Sequence, residues 1–337
     1  MNIIEEGGSA VNGRPIRQSE VPLILDRIEG ILSELGLKRE DDWDIVGSAG
    51  KKKEGDTSGD IDICIKSDRM MDAIGNNDKK GVLEDLAKHL NEKGYDNAKV
   101  YTGFNQVSFA MPMESDEDVV QVDFILVRNL EWSKFMQSSP DYRKDESKYK
   151  SHCRNVLVMC ITKTCFKRTT KRVTLEDDTI KDGEVETYVV RLTDGLYKTR
   201  RNWFGKKGDT IIKTVNRMHE YDELITDTPQ EFIDLLFDGA TITDFNSFET
   251  VYALLMSDKF KFPEHRDKII VSYVMSLDEQ KIDIPSEIEQ KYIDEAREKE
   301  EMLKNEPRQK LKIKNIEVLE HRVLGFDDFV NMLKERS

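Results

Sequence analysis

The side chains best placed to do chemistry are Asp60 and Asp62, in the run Asp60-Ile61-Asp62-Ile63-Cys64-Ile65. Side chains alternate along a strand with period two, so acids at i and i+2 share a face while Ile61, Ile63 and Ile65 enter a core. Two neighbouring carboxylates repel unless something positive sits between them, and a divalent cation with oxygen ligands meets that need. Upstream, Ile45-Val46 leads into Gly47-Ser48, and eleven residues separate Ser48 from Asp60. Glycine permits close backbone approach, and Ser48 offers a hydroxyl and an N–H. Downstream, Asp123 is the single acid in the apolar run 119–127, which reads as another strand.

The order hydrophobic-Gly-Ser, loop, Asp-hydrophobic-Asp-hydrophobic, then a third acid on a later strand resembles the signature of the DNA polymerase β-like nucleotidyltransferase superfamily. The likeness covers residues 45–127, about a quarter of the chain. The wording Gly-Ser-Ala-Gly-Lys-Lys followed by Ser-Gly-Asp-Ile-Asp is most similar to uncharacterised phage-encoded members. The resemblance implies transfer of a nucleoside monophosphate from an NTP to a hydroxyl, with release of pyrophosphate. Asp60, Asp62 and Asp123 are then the catalytic and metal-binding residues, holding two Mg²⁺ (or Mn²⁺) ions per site about 3.5–4 Å apart. Asp60 and Asp62 would serve both ions. Asp123 would serve the acceptor-side ion and help take the proton of the attacking hydroxyl. Gly47, Ser48, Lys51 and Lys52 would meet the triphosphate, with Lys53 in the same loop. Lys150 and Arg154, which share a helical face at i and i+4, would also meet it, with Arg143 and Lys148 nearby.

Charge bears on the acceptor. The chain has 337 residues and a net charge of −14, which does not favour a grip on long nucleic acid. Residues 141–220, however, hold 19 Lys and Arg against 12 Asp and Glu, a balance of +7 that leaves −21 for the rest. A basic middle suits a triphosphate or a short polynucleotide, so an RNA 3′ end of tRNA-like or poly(A) type is the expected acceptor. Nucleotidylation of a protein or small molecule, as in toxin or regulatory systems, and a non-catalytic nucleotide-binding scaffold are the alternatives. Trp203 and Phe204 lie among Arg200, Arg201, Lys206 and Lys207, a pattern shared by single-strand-binding patches and by ordinary packing. Tyr142 stands after Ser138-Ser139-Pro140, where a turn and a base-stacking platform are both compatible.

Cys64, Cys153, Cys160 and Cys165 lack zinc-ligand spacing, no His-x-x-x-His pair occurs, and the thiols are expected to be reduced. No run is apolar enough to span a membrane and no secretory leader is expected. The setting is expected to be cytoplasmic, or the host cytoplasm if the chain is phage-encoded.

The elements that must position these residues follow from periodicity. Ser19 caps an expected helix with its stripe at Ile24, Ile28, Ile31, Leu32 and Leu35; residues 43–46 and 60–66 form strands; 80–93 forms a helix; 98–102, 106–111 and 119–127 form strands. That order predicts an α+β fold, a nucleotidyltransferase-type mixed sheet with helices on one face, followed by a mainly helical C-terminal domain. The division is expected at 1–128 for the catalytic core and 129–337 for a mixed, then mainly helical domain completing the cleft. In the second part, 147–167 reads as a long helix. A hairpin joins 173–179 to 184–192 through Lys181-Asp182-Gly183. Helices are expected at 211–225, 229–237, 247–257, 266–277 and 284–303, with a last amphipathic piece at 313–336.

Overall fold

Alternating apolar runs need partners for both their backbone groups and their buried faces, and the strands around the acids find both in one sheet. A computed structural model describes residues 11–319, apart from 12, 50, 51, 53, 96, 114–117, 138–148, 150, 176, 203, 208, 209, 214–216 and 306–312. In chain order the first part comprises β1 (Ile16–Arg17), α1 (Val21–Glu34), β2 (Trp43–Val46), β3 (Thr57–Ser58), β4 (Asp60–Lys66), α2 (Ser67–Ile74), α3 (Lys79–Glu92), β5 (Lys99–Tyr101), β6 (Gln106–Pro112), β7 (Val119–Val127) and α4 (Leu130–Gln137). The main sheet has the order β2-β4-β7-β6-β5. Strands β4 and β7 run parallel and the other pairs antiparallel. The fold is α+β with a mixed sheet.

One face of this sheet buries Ile61, Ile63, Phe109, Val122 and Phe124 against Ile24, Ile28 and Leu32 of α1 and Val82, Leu86 and Leu90 of α3. Phe109 and Phe124 meet edge-to-face with centroids 4.9 Å apart. The opposite face carries the acids at one end and a small apolar cluster of Val46, Cys64, Ile125, Val127 and Leu130 at the other. Leu130 belongs to α4, which packs on β2 and β4. Helices α1 and α3 thus lie on one face of the core sheet, as expected, and α4, which begins after residue 128, lies over the apolar end of the other. The reason is that the acid-bearing face is apolar beyond Asp62 and needs its own cover.

Entry to α1 also differs from expectation. Instead of a Ser19 cap, a 3₁₀ turn at Gln18–Glu20 leads in. Glu20 accepts from Arg17 N at 2.9 Å and from the Arg14 guanidinium at 2.8 and 2.9 Å. Arg14 also pairs with Asp118, and its backbone N donates to Val119 O at 2.9 Å.

The second part comprises α5 (Ser151–Cys165), β8 (Arg168–Leu175), β9 (Ile180–Arg191), β10 (Gly195–Asn202), β11 (Phe204–Lys207), β12 (Thr210–Lys213), β13 (Arg217–Thr226), α6 (Pro229–Leu236), α7 (Phe248–Met256), α8 (Arg266–Gln280), α9 (Gln290–Asn305) and β14 (Ile313–Val318). Residues 211–225, expected as a helix, lie largely in β12 and β13. Their β-branched content suits strands, and β13 pairs with β10 from Arg217↔Arg201 to Thr226↔Leu196, a non-local choice that overrides the local pattern. The β8–β9 turn falls before Lys181-Asp182-Gly183. Asp178 takes the left-handed conformation (φ 64°) and Asp177 accepts from Thr179 N at 3.0 Å. Gly183 instead sits within β9, where a Cβ would strike the Val173 side chain. Of the final expected piece, Ile313–Val318 pairs with β8 as a strand and 320–336 lies outside the described residues.

The two parts meet at α4. Trp132, Phe135 and Met136 enter the core built by α5 to α8, and Trp132 Nε1 donates to Arg191 O at 2.8 Å. Arg154 of α5 is 3% exposed. Its guanidinium donates to Phe245 O at 3.1 Å, to Met136 O and to Asn155 Oδ1 at 2.9 and 3.2 Å. Burial pulls its pKa down to about 10. This corrects its expected role as a phosphate contact: the side chain of Arg154 is buried in the core. Arg154→Met would leave two carbonyls unpaired and should destabilise the fold by about 1–3 kcal/mol in urea unfolding, with nucleotide affinity unchanged.

Candidate functional site

The parallel register of β4 and β7 sets Asp62 opposite Asp123 and Asp60 opposite Gln121. Because i and i+2 share a face, all four side chains emerge together. One oxygen each from Asp60, Asp62 and Asp123 lie within 4.8 Å of one another. Three carboxylates, with no thiol or imidazole among them, form a hard oxygen donor set that fits a divalent cation.

Burial and mutual charge leave their mark on the acids. Asp123 is 4% exposed, and its pKa is pushed up to about 6, first by burial and further by Asp60. Hydrogen bonds from Ser108, Gln121 and Gln106 oppose the rise. Gln121 Nε2 donates to both Asp123 oxygens, at 3.0 and 3.1 Å. Ser108 stands opposite Asp123 on β6 and receives Gln106 Nε2 at 2.8 Å. Asp60 is also raised by burial, against the pull of Lys52. Gln121 and Ser108 were not expected from sequence. Gln121 was accessible to the same period-two argument, whereas Ser108 needs the β6–β7 register.

The Gly47-Ser48 corner closes one side. Gly47 has φ +70°, a left-handed conformation, and a Cβ there would collide with the Asp62 carboxylate. Ser48 is exposed, with its Oγ 3.4 Å from Ser58 Oγ, and Gln18 Nε2 donates to Ser58 Oγ at 3.1 Å. Lys52 Nζ donates to Thr57 O at 2.8 Å. The β1–β3 pairing, Ile16↔Ser58 and Arg17↔Thr57, fastens this loop to the segment that Arg14 ties to β7. Lys51, Lys53, Arg143, Lys148, Lys150, Tyr142 and Trp203 lie outside the described residues.

A cavity of about 530 Å³ lies elsewhere, lined by Glu40, Lys66, Glu131, Lys134 and Phe135 among others. Lys66 is four residues past Asp62 on β4, roughly 13 Å along the strand, so this hollow is distinct from the acid cluster. Nearby, Lys134 pairs with the buried Asp44, fastening α4 to β2. Among the described residues, no helix is long and apolar enough to cross a membrane.

No protein-family model and no curated protein matches the chain. Among solved structures, a Leishmania infantum polymerase β in a ternary gap complex is similar at 16% identity and a TM-score of 0.32. The overlap covers 55% of this chain and 51% of that one, about half of each. At that level the reading of the site rests on its own geometry.

Two outcomes follow from the geometry. Gly47→Ala should cost about 1–2 kcal/mol from the left-handed backbone alone. By displacing Asp62, it should also weaken Mn²⁺ binding about 10–100-fold in calorimetry. The raised Asp123 pKa means the folded state holds that proton more tightly than the unfolded chain. Asp123 therefore stabilises the metal-free protein fully below about pH 4, and that contribution is lost as pH rises to about 6. Denaturant unfolding across this window should show a wild-type loss of about 2–3 kcal/mol relative to Asp123→Asn.

Proposed function

We propose that this chain is a metal-dependent nucleotidyltransferase, moving a nucleoside monophosphate from an NTP to a hydroxyl acceptor and releasing pyrophosphate. The observation that carries the reading is the convergence of Asp60, Asp62 and Asp123 oxygens within 4.8 Å, beside a glycine at which a Cβ would strike the Asp62 carboxylate. Residues 1–128 are read as the catalytic core and 129–337 as the domain that completes the cleft.

The carboxylates have separate tasks. Asp60 and Asp62 would hold two divalent ions, Mg²⁺ or Mn²⁺, and Asp123 the one on the acceptor side. When bound, such ions neutralise charge at the α-phosphate and lower the pKa of the attacking hydroxyl. Asp123 takes up that hydroxyl proton at a carboxylate oxygen. Gln121 fixes the rotamer of Asp123 through both oxygens. Gly47 and Ser48 present backbone N–H groups and a hydroxyl to phosphate. Lys52, already close enough to Asp60 to lower its pKa, carries positive charge toward the β- and γ-phosphates. Oxygen attack at the α-phosphorus forms the new ester bond, and the α–β bridging oxygen leaves with pyrophosphate.

An RNA 3′ end is the acceptor that best matches the basic middle of the sequence. Incubation with α-labelled NTPs, Mg²⁺ or Mn²⁺, and RNA, DNA, protein and small-molecule acceptors should give label on an RNA end. Asp60→Asn, Asp62→Asn and Asp123→Asn should each cost at least about 10³-fold in rate, with intact folds by circular dichroism. Label on no acceptor, or activity surviving in Asp60→Asn/Asp62→Asn, would remove the proposal.

A further inference from the structure

Two serine hydroxyls meet at the Gly47 corner. Ser58 ends β3, two residues before Asp60, and is 1% exposed. Its Oγ lies 3.1 Å from Gln18 Nε2 and 3.4 Å from Ser48 Oγ. Backbone pairing fixes the group: β1 and β3 set Ile16 opposite Ser58, and the 3₁₀ turn that begins at Gln18 follows β1 directly. Ser48 itself is exposed.

The chemistry of the three groups gives their hydrogen bonds a direction. An amide nitrogen only donates, so Ser58 Oγ accepts from Gln18. Ser58 must then place its own proton, and among the described residues Ser48 Oγ is the acceptor within reach. A buried hydroxyl proton without an acceptor costs free energy, whereas the proton of an exposed serine can turn to water. The contact therefore runs from Ser58 to Ser48. At 3.4 Å it is longer than an ordinary O–H···O bond, which leaves the Ser48 hydroxyl room to lean toward a ligand. The Ser48 proton is directed away from Ser58, on the residue next to the glycine whose Cβ would strike Asp62. Each link polarises the next, so the last hydroxyl becomes the better donor.

We propose that Gln18 and Ser58 are positioning residues: they form a one-way donor chain that commits the Ser48 hydroxyl to donate to a phosphate oxygen of a bound NTP. The assignment rests on the nucleotidyltransferase reading, and it adds what selects the triphosphate at this corner. A hydroxyl whose oxygen already accepts offers its proton outward, and an anionic oxygen is the partner that gains most from it.

The test uses the full chain with Mn²⁺ and the α,β-methylene analogues of the four NTPs. Dissociation constants are read by calorimetry for the analogue that binds tightest. Ser48→Ala, Ser58→Ala and Gln18→Leu should each weaken binding about 10-fold. Adding Ser58→Ala or Gln18→Leu to Ser48→Ala should cost nothing further, because both act through Ser48. Gln18→Glu puts an acceptor at the head of the chain and reverses it, so it should weaken binding more than Gln18→Leu. In the Ser48→Ala background those two should bind alike. Mn²⁺ binding without nucleotide should match wild type in Ser48→Ala, Ser58→Ala and Gln18→Leu, which a general loosening of the corner would not allow. Gln18 is half-buried in a turn, so Gln18→Leu carries the test by itself should Ser58→Ala unfold. Wild-type affinity in both Ser58→Ala and Gln18→Leu, or losses that add to that of Ser48→Ala, would overturn the chain. So would a Gln18→Glu penalty that persists without the Ser48 hydroxyl, the mark of long-range repulsion. A wild type that binds no analogue, or binding undiminished in Asp60→Asn/Asp62→Asn, would instead remove the nucleotidyltransferase reading and this assignment with it, so the two failures are told apart.

Discussion

Three carboxylate oxygens held within 4.8 Å of one another are an electrostatic burden that a fold must be built to carry. Like charges at such spacing resist joint ionisation, and partial burial sharpens the effect. Here burial raises the pKa of both Asp60 and Asp123, and the charge of Asp60 adds to the rise at Asp123. Among the described residues, neutral donors meet it at Asp123: Gln121 and Ser108 hold that acid from strand positions beside it and opposite it. Lys52 lies close enough to lower Asp60, yet its ammonium is hydrogen-bonded to Thr57 O. Such a set favours whatever positive charge arrives, and amide and hydroxyl donors give way to it without leaving a buried cation behind.

Holding the acids requires two distant segments to keep one register. The parallel ladder of β4 and β7 does most of this, and the segment at 13–20 reinforces it from outside. Arg14 joins Asp118 and Glu20, its N–H takes Val119 O, and β1 pairs with β3 immediately before Asp60. Both carboxylate-bearing strands are thus gripped at the same end by one stretch of chain. A Cβ at Gly13 would meet the backbone of Val120 and Gln121, so this grip needs a glycine for close approach.

Helix α4 does the corresponding work on the acid-bearing face. It covers the apolar end of β4 and β7, anchors to Asp44 through Lys134, and sends Trp132, Phe135 and Met136 into the other core. Arg154 then fastens the last turn of α4 to the 3₁₀ turn ending at Phe245. A buried guanidinium bound to carbonyls is costly to desolvate, and it earns its place by capping two helix ends that would otherwise leave C=O groups unpaired.

Much of this was legible in the chain. The bounds of β2, β4 and β7 follow from alternation between turn-forming residues, and the shared face of Asp60 and Asp62 follows from period two alone. Other features are not local properties. That β4 and β7 are neighbours, parallel and in the register Asp62↔Asp123, depends on pairing across some sixty residues. Ser108 gains its role only through β6, and β13 is a strand because β10 offers it an edge. Arg154 illustrates the same limit: periodicity says which residues share a helix face, but only packing says whether that face meets water or the core. Sequence fixes direction along a strand or helix, while the identity of what lies opposite is a long-range contact, decided where burial and hydrogen bonding are satisfied together.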